Sequence, residues 1–473
     1  MQQSSSTMGE LGLAGLLGLV VMAAHGVACS PGGTTLAGGA GGVDGAGAGS
    51  PAGGAGGTGA GDAGPTGSCR DYRLRRQDLD LEGEWLGAGV MNNGVSLHRG
   101  RLDFAWVGGY VSEASGNGVH DTLFFTSLDV RTGELVKYDG PDPIPAHVAG
   151  SNGGALVGGT SPDGTFLVIY WYETSPGVPE VFYALGELGD PRTMDLGKLL
   201  PQDYLPTRIT WDGEAFQVHG ESGGTVSMTR VSPSGEVLVP KTDVAKSWNR
   251  GYGPFGYRLA YEPVSELTWI WDGDGLSSGL LQAHDKLGVP LFPAPGIDIE
   301  GLEDLPTGIA MSVRPEGVSV VWQEFDLFPD DSGKLDGATR PYADRVGVDG
   351  QREGVFGFSH GLAYDWFTLL DRAPRKAALV AIDHFGAHLL ELDYEAKAVS
   401  PPALFYDAAT PSATGINDLR ERILFELDGT LWLVINEASQ GDEAPTRRVL
   451  ELNPGCVYKS WLHLVDDGEA GLE

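Results

Sequence analysis

Ser161-Pro162-Asp163-Gly164-Thr165-Phe166-Leu167-Val168-Ile169-Tyr170-Trp171 is a turn followed by an unbroken run of branched and aromatic residues. Such residues fit a pleated strand, and the lack of apolar/polar alternation predicts a strand buried on both faces. Asp428-Gly429 followed by Thr430-Leu431-Trp432-Leu433-Val434-Ile435 repeats the arrangement far down the chain. A strand enclosed on both faces needs a neighbouring layer on each side.

The turn recurs between apolar segments at Arg99-Gly100, Pro162-Asp163-Gly164, Asp212-Gly213, Glu262-Pro263, Pro315-Glu316-Gly317, Ala373-Pro374 and Asp428-Gly429. Each is followed by a second turn: Arg131-Thr132-Gly133, Gly189-Asp190-Pro191, Pro233-Ser234-Gly235, Lys286-Leu287-Gly288, Asp349-Gly350, Glu395-Ala396-Lys397 and Asn453-Pro454-Gly455. Two hairpins per unit make four strands, and a period of about 55 residues suits propeller blades rather than helical solenoids. The predicted fold is all-β: a β-propeller of four-stranded blades, seven in number, with six or eight as the neighbouring counts. A large β-sandwich or β-solenoid is the alternative. Residues 69–473 form this domain.

Ser161-Pro162-Asp163-Gly164-Thr165 resembles the Ser-Pro-Asp-Gly turn of TolB-like propeller repeats, with a fainter echo at Ser232-Pro233-Ser234-Gly235. The resemblance covers one blade and implies a fold, not a partner. The Asp-box of sialidases, the Trp-Asp pair of WD40 repeats and the kelch pattern do not recur. Trp106, Trp171, Trp269, Trp271, Trp322 and Trp432 fall on or near corresponding strands among Val, Ile and Leu. They read as blade-to-blade packing, with sugar stacking as the alternative.

The amino terminus has a different composition. Leu11 to Ala24 is apolar, too short to span a bilayer and of the length of a signal-peptide core. It leads to Gly26-Val27-Ala28-Cys29. These residues resemble the lipobox of bacterial lipoproteins, which implies cleavage of 1–28 and lipid on Cys29. Gly26 stands where that family usually has Leu, and no Lys or Arg precedes the apolar core. An ordinary cleaved leader is the alternative. Ser30 after the cysteine resembles the outer-membrane sorting pattern, so the expected location is the outer membrane or surface of a Gram-negative bacterium. From Ser30 to Ser68 there are 17 glycines in 39 residues and no aromatic residue. Such a segment has nothing to bury, so 29–68 reads as a disordered tether with a random-coil reach of about 35 Å.

Only Cys29, Cys69 and Cys456 exist. With lipid on Cys29, the other two flank the domain, and a disulfide between Cys69 and Cys456 would close the ring in an oxidising compartment. Two free thiols are the alternative.

The net charge of −33 falls almost wholly on the domain, because residues 1–68 contain only Glu10, Asp44 and Asp62 as charged side chains. Nucleic acid requires a basic footprint, so it is excluded as a partner, and membrane contact is expected only through the lipid anchor. A monomer is expected.

No cofactor is expected. His384 and His388 flank a short hairpin with Asp383 beside them, a weak metal candidate. Asp272-Gly273-Asp274-Gly275, and Asp330-Asp331 with Asp336, have the oxygen-rich look of calcium loops without an EF-hand register, so a structural calcium is the alternative to plain acidic turns. No nucleophile elbow, phosphate loop or dinucleotide fingerprint stands in a suitable setting. Two classes of function remain: a binding or scaffold module for a protein or glycan, which the regular repeat favours, or an extracellular enzyme such as a glycan hydrolase or lyase. The irregular inserts Asp326 to Ala343, Val111 to His120 and Glu437 to Thr446 suit either. No catalytic residue is nominated.

Overall fold

The computed structural model describes residues 70–74, 84–85, 91–93, 95–112, 118–138, 155–175, 178–188, 190–195, 205–222, 224–246, 257–273, 279–299, 305–325, 340–358, 366–383, 386–407, 423–437 and 446–459. All belong to the unit Gly67–Glu473. They contain strands and turns and no helix.

After β1 (Asp71–Leu74), the short strands β2 (Glu84–Trp85), β3 (Met91–Asn93) and β4 (Val95–His98) precede the long hairpin of β5 (Arg101–Ser112) and β6 (Gly118–Asp129). With β7 (Leu135–Tyr138) these make the first sheet, in which β2 and β4 share one edge of β5. The second sheet runs β8 (Ala155–Thr160), β9 (Thr165–Ser175), β10 (Val178–Glu187) and β11 (Asp190–Asp195), with β3 added parallel to β8. The third is β12 (Leu205–Trp211), β13 (Phe216–Ser222), β14 (Thr225–Val231) and β15 (Val237–Lys246). The fourth is β16 (Tyr257–Glu262), β17 (Leu267–Gly273), β18 (Gly279–His284) and β19 (Ile297–Asp298). The fifth is β20 (Leu305–Arg314), β21 (Gly317–Phe325), β22 (Arg340–Gly347) and β23 (Phe356–Gly357). The sixth holds β24 (Trp366–Ala373), β25 (Lys376–Asp383), β26 (Gly386–Asp393), β27 (Ala398–Val399) and β28 (Ala403–Asp407). The seventh is β29 (Ile423–Leu427), β30 (Thr430–Glu437) and β31 (Thr446–Leu452), and β32 (Tyr458–Lys459) follows it.

The leading strands meet in succession, β8 with β12, β12 with β16, β16 with β20, β20 with β24 and β24 with β29, so these edges face a common axis. The apolar clusters bridge neighbouring sheets. Ile209 packs with Val157 and Leu167, Leu259 with Met228, Trp322 with Trp271, Leu379 with Val321, Leu433 with Val380, and Phe104 with Trp432. Phe125 and Phe166, with centroids 4.3 Å apart, join the first sheet to the second. This explains the absence of alternation in β9 and β30: each middle strand presents one face to the preceding sheet and the other to the following one. Trp269, Trp271, Trp322 and Trp432 are fully buried in these seams, as expected for packing residues. Trp106 and Trp171 lie on β5 and β9, with side chains outside the described residues.

All seven first turns read from the sequence join the first and second strands of a sheet. In Arg99-Gly100 and Asp428-Gly429 both central residues have positive φ, the geometry that suits a two-residue hairpin to strand twist. A Cβ on Gly429 (φ +80°) would meet nothing within 4 Å. Gly429→Ala is therefore expected to lower stability by about 1 kcal/mol through backbone strain alone, read from urea unfolding. No loss would mean that the turn is not left-handed.

The last second turn departs from expectation. Asn453-Pro454-Gly455 does not lead into the outer strand of the seventh sheet; the chain runs on to β32, which pairs parallel with β28 of the sixth. The outer edge of β31 is already taken by β1, antiparallel and in register from Asp71 opposite Leu450 to Leu74 opposite Arg447. The amino-terminal strand thus completes the last blade. Around this joint the Nη2 of Arg448 lies 2.6 Å from the Asp71 carboxylate, and the Nε of Arg70 lies 2.8 Å from that of Glu451. The hydroxyl of Tyr458 is hydrogen-bonded to the carbonyls of Glu451 and Arg70, and Arg70 also covers the Trp432 ring at 4.7 Å.

Candidate functional site

Among the described residues, three of the seams between blades carry buried polar groups at the turn end of the second strands. Asp103 on β5 accepts hydrogen bonds from Thr160 of the next blade (2.7 Å), from Ser127 and from Arg101 (2.8 Å). Arg101 also donates to the Ser161 carbonyl across the seam at 3.1 Å. Between the third and fourth blades, Thr268 donates to Gln217 (2.7 Å) and Tyr261 to the Asp212 carbonyl (2.8 Å). Arg230 binds Asp212 at 2.6 Å; burial opposes ionisation there, yet Arg230 and the amides of Ala215 and Glu214 hold the carboxyl below its ordinary range.

Deeper in that seam, the Nε2 atoms of His219 and His284 are 3.0 Å apart, and both rings are fully buried. The Nδ1 of His284 lies 2.8 Å from the Asp285 carbonyl, which fixes it as a donor. Its Nε2 must then accept from His219, leaving His219 Nδ1 as a bare lone pair. Burial brings His284 down to about 4, and burial with the fields of His284 and Arg208 puts His219 well below its ordinary value. Both rings are neutral near pH 7.

Between the fifth and sixth blades, Ser319 donates to Asp371 at 2.9 Å, while the Ser312 hydroxyl accepts from the Asp371 amide. Burial pushes the Asp371 carboxyl up to about 7 despite Ser319. Burial likewise raises the nearby Tyr394 phenol. Along the inner strands, Arg314 and Arg372 are matched by Glu353 (3.6 Å) and Glu426 (2.9 Å). Arg208 on β12 and Arg258 on β16 are part-exposed on inner strands and have no carboxylate partner among the described residues.

Of the residues singled out from the sequence, several fall outside the described residues. Cys29, Cys69, His384 and Asp274 lie outside the described residues, as do Asp330, Asp331 and Asp336. Asp272 lies on β17 of the fourth blade, Asp383 at the end of β25, and His388 on β26 opposite Ala381. Among the described residues no group of three or more His, Cys, Asp or Glu is placed to hold a metal ion. Of the three irregular inserts, 113–117, 326–339 and 438–445 lie outside the described residues. Sequence reasoning missed the polar seams. Their signal was a polar residue two or three places into an apolar second strand: Asp103, Gln217 and Ser319.

Seven antiparallel sheets in a ring, the last completed by the first strand, define a seven-bladed β-propeller. No family model and no curated protein matches the chain. Among solved structures, the chain is similar to the polysaccharide lyase Uly1, at 12% identity and TM-score 0.45, over 79% of this chain and 94% of that one. It is similar to a putative 6-phosphogluconolactonase from Bacteroides fragilis at 12% identity and TM-score 0.39, over 69% and 89%. An acylaminoacyl peptidase from Pyrococcus horikoshii gives 8% and 0.40, over 83% and 55%. Likenesses this distant carry no argument about activity.

Proposed function

We propose that this chain is an exported, membrane-tethered propeller that acts as a binding or scaffold module for a protein or glycan ligand at the cell surface. The observation that carries the reading is where the most perturbed acid–base groups lie. His219 meets His284 across the third and fourth blades, and Asp371 meets Ser319 across the fifth and sixth, so these groups join sheets. Perturbed groups mark catalysis when they converge in an open cleft, and these do not. In this reading Cys29 carries the lipid, 29–68 is the tether and the propeller is a monomer. A Cys69–Cys456 disulfide fits the same picture: Cys456 is buried beyond β31, and Arg70, next to Cys69, accepts a backbone hydrogen bond from Glu451 at 3.0 Å.

The test incubates the full chain with purified acidic and neutral polysaccharides and reads retention and polymer length together. Retention with length unchanged is expected. Shortening of any polymer would replace this reading with a glycan hydrolase or lyase.

A further inference from the structure

Arg208 and Arg258 break the pattern that governs the other inner-strand arginines. They stand on neighbouring inner strands of the third and fourth blades, which touch each other. Arg208 lies opposite His219 in the sheet, and its charge acts on both His219 and Arg258. The Nε of Arg258 donates to the Ile309 carbonyl of β20 at 3.1 Å, so its side chain reaches from the fourth blade to the fifth. Its terminal nitrogens, and the whole Arg208 head group, have no hydrogen-bond or ion-pair partner among the described residues.

This is costly in isolation. A guanidinium drawn out of water and set beside a like charge loses hydration without a compensating ion pair. Burial and Arg208 together lower Arg258 to about 10. The chain has 64 acidic and 31 basic residues, so a carboxylate to neutralise the pair would be easy to find. Elsewhere it does find one: Arg230 has Asp212, Arg352 has Asp344 and Arg448 has Asp71. Two planar forks left open side by side are the donor set that a tetrahedral or planar oxyanion accepts bidentately.

We propose that Arg208 and Arg258 form an oxyanion-binding site in the wall of the central channel, which takes a carboxylate, sulfate or phosphate group of a ligand. The site deepens the binding reading above and rests on the channel being the ligand's route. The charge excess elsewhere on the domain repels anions at long range, so selection falls on ligands that also make neutral contacts near the pair.

Calorimetric titration of the full chain with inorganic sulfate, inorganic phosphate and an oligogalacturonate tests it. At least one is expected to bind saturably, at least tenfold more weakly in R208Q or R258Q, with binding lost in the double variant. Tighter binding of the oligogalacturonate assigns the site to an acidic glycan; binding of the inorganic ions alone assigns it to a small oxyanion. Thermal unfolding gives a second readout, because relief of like-charge repulsion should leave R208Q at least as stable as the parent. No saturable binding in the parent, unchanged binding in the variants, or a drop of several degrees in Tm for R208Q would overturn the site. Glycan retention that survives in the double variant would overturn the site and leave the binding reading standing; glycan cleavage lost in the double variant would do the reverse.

Discussion

Asp71→Ala is expected to lower the unfolding free energy by about 3–5 kcal/mol, the usual effect of removing one partner of a buried ion pair. Arg448 is fully buried on β31, and the Asp71 carboxylate lies 2.6 Å from its Nη2. The Tyr406 hydroxyl at 3.4 Å, whose ring also lies under the guanidinium at 5.2 Å, cannot neutralise it. The penalty therefore comes from taking a counter-charge away from a buried guanidinium, not from the lost attraction alone. For that reason Asp71→Ala combined with Arg448→Met should recover much of the loss. Denaturant unfolding followed by tryptophan fluorescence measures both, and a loss below about 1 kcal/mol for the single variant would show that the pair does not hold the ring closed.

The second large effect is in acid, and it is isolated by first replacing Asp371 with Asn. His284 has a native value of about 4 against an unfolded one of about 6.5. Below pH 6.5 the unfolded chain takes up a proton that the native ring refuses, so stability is full above pH 6.5 and falls as pH drops towards 4. At 1.36 kcal/mol per unit this amounts to about 3 kcal/mol for the first proton refused by the pair, which titrates as one unit with His219. Asp371 has the opposite sign. Its native value of about 7 lies above the unfolded one, so it takes up a proton in the folded state as pH falls and adds stability across the same window. The unmodified chain should therefore show a shallow profile between pH 7 and 4, and D371N a steep one. Replacing both His219 and His284 with Gln in the D371N background should flatten it again. A steep profile that persists in that triple variant would place the acid sensitivity elsewhere.

The blades were legible because they are local. Each hairpin writes its own turn, and Arg99-Gly100 or Asp428-Gly429 between apolar runs specifies a two-residue connection whatever the rest of the chain does. Burial of β9 and β30 on both faces was also readable, since unbroken Phe-Leu-Val-Ile runs need neighbours on each side. The closing strand was less so. Asp71-Tyr72-Arg73-Leu74 carries no sign that it pairs with residues near 450, and Asn453-Pro454-Gly455 looks like any other second turn. Pairing across that sequence distance is decided by which strand edge the rest of the fold leaves open. The polar seams were hidden for a similar reason: Gln217 and Thr268 lie 51 residues apart and meet only when two blades stack. His219 and His284 each look like a stray polar residue in an apolar strand. Arg208 and Arg258 show their character only by lacking what the other inner-strand arginines have.

The channel and any site in its wall depend on a ring closed by its first strand. Hydrogen exchange on the full chain measures this directly. Amide protons of residues 71–74 should exchange as slowly as those of 446–452, and Asp71→Ala should release both together. Exchange of 71–74 at the rate of an unstructured chain while 446–452 stays protected would contradict closure by β1 and, with it, the joint on which the seventh blade is built.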